Sequence, residues 1–82
     1  MPRARNHWQP GDRGRLRVPV PIYRRARLRP IGTLVIVREV SKGYIRCALC
    51  GNGWNPVGLT GWIPANSIES WSDLKELVAR IG

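Results

Sequence analysis

The chain is poor in the residues on which most enzymes and metal proteins rely. Among 82 residues there are one histidine, His7, two cysteines, five acidic side chains and no phenylalanine. A structural zinc site needs four nitrogen or sulfur ligands, which one histidine and one cysteine pair do not supply. With a single histidine, no catalytic set of nucleophile, base and acid can be assembled. Neither paired carboxylates nor a phosphate-binding glycine loop is present. We therefore expect no enzyme, no metal and no cofactor.

The two cysteines, Cys47 and Cys50, form a C-x-x-C motif. Side chains three residues apart in an extended strand point to opposite faces, so shared chemistry would need a turn between them. Free cysteines are commonly buried, and we expect Cys47 in a core strand and Cys50 as a thiol at a loop edge. A zinc site shared by two copies of the chain and a local redox pair are the open alternatives.

Long apolar runs are lacking as well. The longest tract, residues 34–37, is far shorter than the roughly 20 residues of a membrane span. The basic N-terminus is followed by no apolar segment of a secretory signal. The length suits one small domain, and a hydrophobic share of 43% suits a packed core. We expect a soluble cytoplasmic protein without a membrane partner, with a viral or plasmid origin and the oligomeric state left open.

What the chain has in excess is arginine. Its formal net charge is +9, and residues 1–29 hold nine arginines against one acid, Asp12. The remaining residues are nearly balanced in charge. A guanidinium group presents a planar fork of donors that matches phosphate and carboxylate, so the excess predicts an anionic partner at one face. A solvated basic surface is the plainer alternative.

The first third of the chain is expected to contain little regular structure. Prolines and glycines without a helix or strand period predict a flexible basic arm over residues 1–14. Apolar residues alternate over 16–22, but two prolines in that stretch predict an edge strand or a polyproline-like segment. Residues 24–30 are too polar for a core and predict an exposed loop. Order is expected to begin near Arg15.

The rest of the chain to residue 71 predicts short strands. The β-branched stretch 31–40 and the stretch 44–49 flank a glycine-containing turn, which indicates a hairpin. The glycines, asparagines and proline over 50–58 predict a second hairpin loop. Residues 59–64 then predict a short strand and 65–67 a tight 3₁₀ turn. Several short strands at close spacing predict a small, mostly β barrel or sandwich.

The last segment, residues 72–82, has a helical period. Leu74, Leu77, Val78 and Ile81 recur at the spacing of one helix face. We expect a short amphipathic C-terminal α-helix. A helix of this length is marginal alone, so it would dock on the barrel or in a partner's groove.

The stretch Gly-Trp-Ile-Pro-Ala-Asn-Ser-Ile-Glu at 61–69 resembles the closing motif of the SH3 fold. The upstream order is also similar, with 20–23 resembling the opening strand, 24–30 the RT loop and 50–58 the distal hairpin. The resemblance covers about residues 16–70. It implies a five-stranded, strongly bent SH3-like barrel over 15–71, between the arm and the helix.

Other features differ from the SH3 domains that bind proline-rich peptides. Tyr23 matches a groove aromatic and Tyr44 lies near the groove tryptophan of the family, but Ser67 replaces the closing tyrosine. The RT-loop equivalent carries arginines and no acid, which would repel the usual basic ligand residue. The chain is therefore more similar to bacterial and viral SH3-like domains, a fold that fixes no single activity.

The leading functional hypothesis is a non-enzymatic module that contacts nucleic-acid phosphates with weak sequence specificity. The anion-binding candidates are Arg15, Arg17, Arg24, Arg25, Arg27 and Arg29, with Arg3 and Arg5 in the arm. The aromatic residues that could stack on bases or line a groove are Tyr23, Tyr44, Trp8 and Trp54. Trp54 also has a structural interpretation, and Trp62 is expected in the core. The alternatives are an adaptor that binds an acidic or proline-rich protein segment, and a structural subunit of a larger assembly.

Overall fold

The computed structural model describes residues 8–71, and half of them lie in β-strands, which confirms the mostly β class. The basic residues before Trp8 and the C-terminal helix predicted over 72–82 lie outside the described residues. The strands are β1 (Arg13–Leu16), β2 (Val20–Pro21), β3 (Leu28–Arg29), β4 (Leu34–Ser41), β5 (Tyr44–Cys50), β6 (Pro56–Leu59), β7 (Ile63–Pro64) and β8 (Ile68–Ser70). Two short 3₁₀ helices, Asn52–Trp54 and Ala65–Ser67, lie between strands, and the second is the turn predicted there.

The predicted hairpin between β4 and β5 is present and has a two-residue loop. Its last pair is Ser41 with Tyr44, and Lys42 and Gly43 have φ values of 42° and 85°. Positive φ at both loop residues is typical of the turn whose twist matches that of paired strands. A β-bulge at Arg38 then shifts the register between the two halves of the hairpin.

The strands form one six-stranded sheet and a separate β2–β3 hairpin. The order in the sheet is β6-β5-β4-β1-β8, and β7 also pairs with β5. One short segment, residues 63–70, thus pairs with β5 at its start and with β1 at its end. The sheet must curve for this segment to reach both strands. Within residues 8–71 the outer strands β6 and β8 do not pair, so the hydrogen bonds do not close a barrel, and the expected count of five strands is not confirmed.

The core lies on the concave side of this curved sheet. Burial alternates over residues 34–37 of β4 and 44–47 of β5, where every second side chain faces inward. The end of β4, residues 38–41, is exposed, and the end of β5, residues 47–50, is buried. Gly14 sits at the crossing of β1 and β8, where a side-chain carbon would collide with the Glu69 carbonyl oxygen. The buried cluster consists of Trp8, Leu16, Val20, Val35, Val37, Ile45, Cys47, Leu49, Ile63 and Ile68.

Two expectations about which tryptophans are buried are wrong. Trp8 was expected in a flexible arm, yet it is 5% exposed and its indole N–H donates to the Ala65 carbonyl at 3.1 Å. The chain is therefore ordered at residue 8 and β1 starts at Arg13, both before the start of order expected near Arg15. The chain bends between β1 and β2, which interrupts the apolar alternation over 16–22 and leaves Val18 exposed. Trp62, expected in the core, is 49% exposed because Ile63 takes the inward position.

No helix in residues 8–71 has the length and apolar character needed to cross a membrane.

Candidate functional site

The β2–β3 hairpin projects a cluster of arginines into solvent. The Ile22 N–H donates to the Arg27 carbonyl at 2.9 Å, and the Arg25 N–H donates back to Ile22 at 3.0 Å, which closes the loop. Arg24 has a φ of 60°, a left-handed conformation that is uncommon for a residue with a side chain. We call Arg24, Arg25 and Arg27 the hairpin tip. All three are exposed, and none forms an ion pair with a residue in the described part of the chain.

The loop of the hairpin is held against the main sheet at Tyr23, next to the tip. The Tyr23 N–H donates to the Leu59 carbonyl at 2.7 Å, at the end of β6. This contact places Tyr23 next to Arg46 of β5, whose guanidinium carbon lies 5.5 Å from the Tyr23 ring centroid. The same carbon lies 5.7 Å from the Trp62 ring. Both distances are below the ~6 Å at which a cation is attracted to an aromatic ring.

Arg46 is held in place by a carboxylate from the neighbouring strand. Glu39 and Arg46 are register partners on β4 and β5, and Arg46 Nη1 lies 3.1 Å from Glu39 Oε2. The guanidinium therefore bridges a carboxylate and two rings. We call Tyr23, Arg46 and Trp62 the cation–aromatic face. Arg24 joins it from the hairpin tip, 5.3 Å from the Tyr23 ring.

An open surface pocket of about 210 Å³ adjoins this face. Its lining residues are Arg38, Glu39, Arg46, Leu59 and Thr60. Thr60 belongs to the structure of the sheet, because its hydroxyl accepts from the Cys47 N–H at 3.0 Å and donates to the Gly61 carbonyl at 2.7 Å. The polar groups of the pocket that are available to a ligand are therefore the charged side chains.

The other predicted arginines have different surroundings. Arg15 Nε lies 2.9 Å and Arg17 Nε 3.9 Å from the two carboxylate oxygens of Glu69, so one acid on β8 serves both. Arg29 is half-buried on β3, and its Nε has no hydrogen-bond partner among the described residues. The predicted single patch is thus divided into an unpaired tip and a partly neutralised pair. Arg3 and Arg5 lie outside the described residues.

The four predicted aromatic residues are also separated by the fold. Trp8 is in the core and presents no stacking surface. Trp54 is half-buried and makes an edge-to-face contact with Trp71 at 5.5 Å, with Arg13 at 4.8 Å from its ring. Tyr44 is 53% exposed and shares the outward side of β5 with Arg46, two residues away. Tyr23 is the one predicted aromatic that lies beside the arginine tip.

Sequence reasoning missed the other members of the cation–aromatic face. The alternation of side chains along β5 could have placed Arg46 beside Tyr44 on the outer side. Its partners, Glu39, Tyr23 and Trp62, come from other segments of the chain. For Trp62 the signal was its place beside Ile63, which is apolar and can face inward only if its neighbour faces outward.

The cysteines are free and both are buried, with Cys47 inside β5 and Cys50 at its end, at the edge of the following loop. Burial and the nearby Cys50 raise the pKa of the Cys47 thiol to about 12. Burial also raises the pKa of Cys50, although Arg13 acts in the opposite direction. A thiol with a raised pKa is a poor nucleophile at neutral pH. Within residues 8–71 no group of three or more His, Cys, Asp or Glu residues is placed to hold a metal ion.

Comparison with protein families, with curated proteins and with solved structures finds no match for this chain. The functional assignment therefore depends on the chemistry of the site. The hairpin tip offers unpaired guanidinium groups, which suit an anionic ligand. The adjoining rings offer exposed planar surfaces, which suit a flat apolar group.

Proposed function

We propose that the chain is a non-enzymatic SH3-like binding module that contacts nucleic-acid phosphates through the hairpin tip, with weak sequence specificity. Three observations support the SH3-like fold. β1 lies between β4 and β8, a hairpin with a charged tip follows β1, and a 3₁₀ turn precedes the last strand. The closing motif at 61–69 agrees with this order.

The observation that carries the proposal is the set of three exposed arginines without ion pairs in the described part of the chain. An exposed guanidinium that is already paired must give up its partner to bind a phosphate. At the tip, Arg24 would give up only its contact with Tyr23, which at an exposed site is worth ~0.5–1 kcal/mol. Arg25 and Arg27 have no such contact to lose. The tip is therefore the arginine group with the lowest cost of binding an anion.

The conformation of Arg24 supports the same interpretation. A residue with a side chain in the left-handed region costs of order 1–3 kcal/mol, and glycine or asparagine would avoid most of that cost. Arginine at this position of the loop fits a role in binding. Phosphate contacts position a protein on nucleic acid without reading its bases, and for this reason we propose weak sequence specificity.

The test is a salt titration of nucleic-acid binding. Each phosphate contact contributes roughly 0.7–0.9 to the slope of log affinity against log salt concentration. Replacing Arg24, Arg25 and Arg27 by Ser should reduce the slope by roughly 2–3. Arg29 should be kept, since it is half-buried and its replacement would disturb β3. Two single variants form a matched pair, because each removes one exposed charge. They are Arg25→Asn at the tip and Lys42→Asn in the β4–β5 turn.

The proposal requires Arg25→Asn to lower the slope and Lys42→Asn to leave it unchanged. Equal effects of the two variants would indicate a general effect of net charge. Undiminished binding by the triple variant would contradict the role of the tip. The adaptor alternative predicts capture of a protein partner that nuclease treatment does not release, and the structural-subunit alternative predicts copurification with an assembly.

A further inference from the structure

The cation–aromatic face exposes two aromatic rings directly beside the hairpin tip. Tyr23 is 46% exposed and Trp62 is 49% exposed. We propose that unpaired bases stack on this face, so that the ligand is single-stranded rather than double-stranded nucleic acid. This inference rests on the proposed function and names its substrate class.

These rings are held in position before any ligand arrives. Trp62 is directed outward by the buried Ile63, and Tyr23 is held by the hydrogen bond of its backbone to Leu59. Arg46 contacts both rings and is itself held by Glu39. A ring that is already ordered loses little conformational freedom when a base stacks on it.

The phosphate contacts lie next to the rings. Tyr23 and Arg24 are consecutive residues, and the Arg24 guanidinium lies over the Tyr23 ring in the free chain. When Arg24 leaves the ring for a phosphate, it uncovers a ring surface on which a base of the same short stretch of strand can stack. Aromatic stacking platforms beside a positively charged path are the usual means of binding single strands without sequence preference.

A duplex does not suit the two rings as a ligand. In a duplex the base faces are covered by their neighbours, and only base edges are accessible in the grooves. Trp62 and Tyr23 could stack only on bases that have left the helix. The arginines of the tip, in contrast, can contact the phosphates of either form. The rings should therefore distinguish the two forms, whereas the tip should not.

The experiment measures binding of the full chain to a fluorescein-labelled oligothymidylate and to a mixed-sequence duplex of the same length. Trp62→Ala should weaken binding to the single strand by about 5- to 150-fold, the range for loss of one stacked base. It should change duplex binding by less than about 2-fold. Trp62→Phe should keep most of the single-strand affinity, because a planar ring remains. Val57→Ala, at another exposed apolar residue on β6, is the matched control and should change neither affinity.

A second readout separates stacking from a structural effect of the substitution. A base stacked on an indole ring quenches its fluorescence, so the oligothymidylate should quench the wild type more than Trp62→Phe. Equal loss of single-strand and duplex binding in Trp62→Ala, or unchanged single-strand binding, would overturn the stacking inference alone. If only the hairpin-tip variant loses binding to the oligonucleotides, the stacking inference fails and the proposed function stands. Absence of binding to both oligonucleotides at low salt would overturn both.

Discussion

The burial of Trp8 leads to a stability prediction that distinguishes a core position for Trp8 from the flexible arm expected from the sequence. Trp8 is 5% exposed and bonds to Ala65, a residue 57 positions away. Truncation of a buried tryptophan to alanine costs ~3–5 kcal/mol. A domain of this size has a total stability of roughly 4–12 kcal/mol, so Trp8→Ala should remove a large share of it. Trp8→Phe keeps most of the ring but loses the hydrogen bond and should cost ~0.5–3 kcal/mol.

The assay is urea unfolding followed by far-ultraviolet circular dichroism, which does not depend on the fluorescence of the replaced tryptophan. Trp62→Ala is the matched control, since it truncates the same residue type at the surface. It should cost less than about 1 kcal/mol, mainly through the contact with Arg46. If Trp8→Ala and Trp62→Ala lower the free energy of unfolding equally, Trp8 does not belong to the core and the reasoning fails.

Three further predictions concern a charge pair, a buried hydroxyl and a thiol. Glu69→Gln should release Arg15 and Arg17 and steepen the salt dependence of nucleic-acid binding. It should cost less than about 1 kcal/mol of stability, because the groups are exposed. An unchanged slope of log affinity against log salt concentration would show that neither arginine contacts the nucleic acid. Thr60→Val should leave the buried Cys47 N–H without its partner and cost ~1–3 kcal/mol in urea unfolding, and a neutral result would refute this role. The free energy of unfolding should fall as the pH rises from about 9 towards 12, because the unfolded Cys47 thiol ionises while burial holds its folded pKa at about 12. Cys47→Ala should reduce this alkaline loss, and the same pH profile in that variant would contradict the assignment.

Part of the site could be predicted because it depends on neighbours in the chain. The arginines of the hairpin tip and Tyr23 lie within five residues of one another, so any fold that exposes this loop keeps them together. Arg46, Glu39 and Trp62 could not be assigned in this way. Arg46 meets Glu39 because β5 pairs with β4, and it meets Trp62 because β7 pairs with β5. It meets Tyr23 because the hairpin loop bonds to the end of β6.

The division of the positive charge also depended on distant contacts. Local sequence made Arg15 and Arg17 appear equivalent to the arginines of the tip. Glu69 is 54 residues from Arg15, and the pairing of β1 with β8 brings the two together. One acid thus lowers the free positive charge of β1, whereas the three arginines of the tip form no ion pair with a residue in the described part of the chain.

The sequence by itself determined the β class, the β4–β5 hairpin and the 3₁₀ turn before the last strand, because these follow from alternation, β-branched residues and turn residues over a few positions. Only the tertiary structure decided which tryptophan is buried. Burial depends on what the rest of the chain places against a side chain, and the segment around Trp8 has no period that reveals it. Ala65 and the core cover Trp8, while Trp62 remains at the surface beside the arginines.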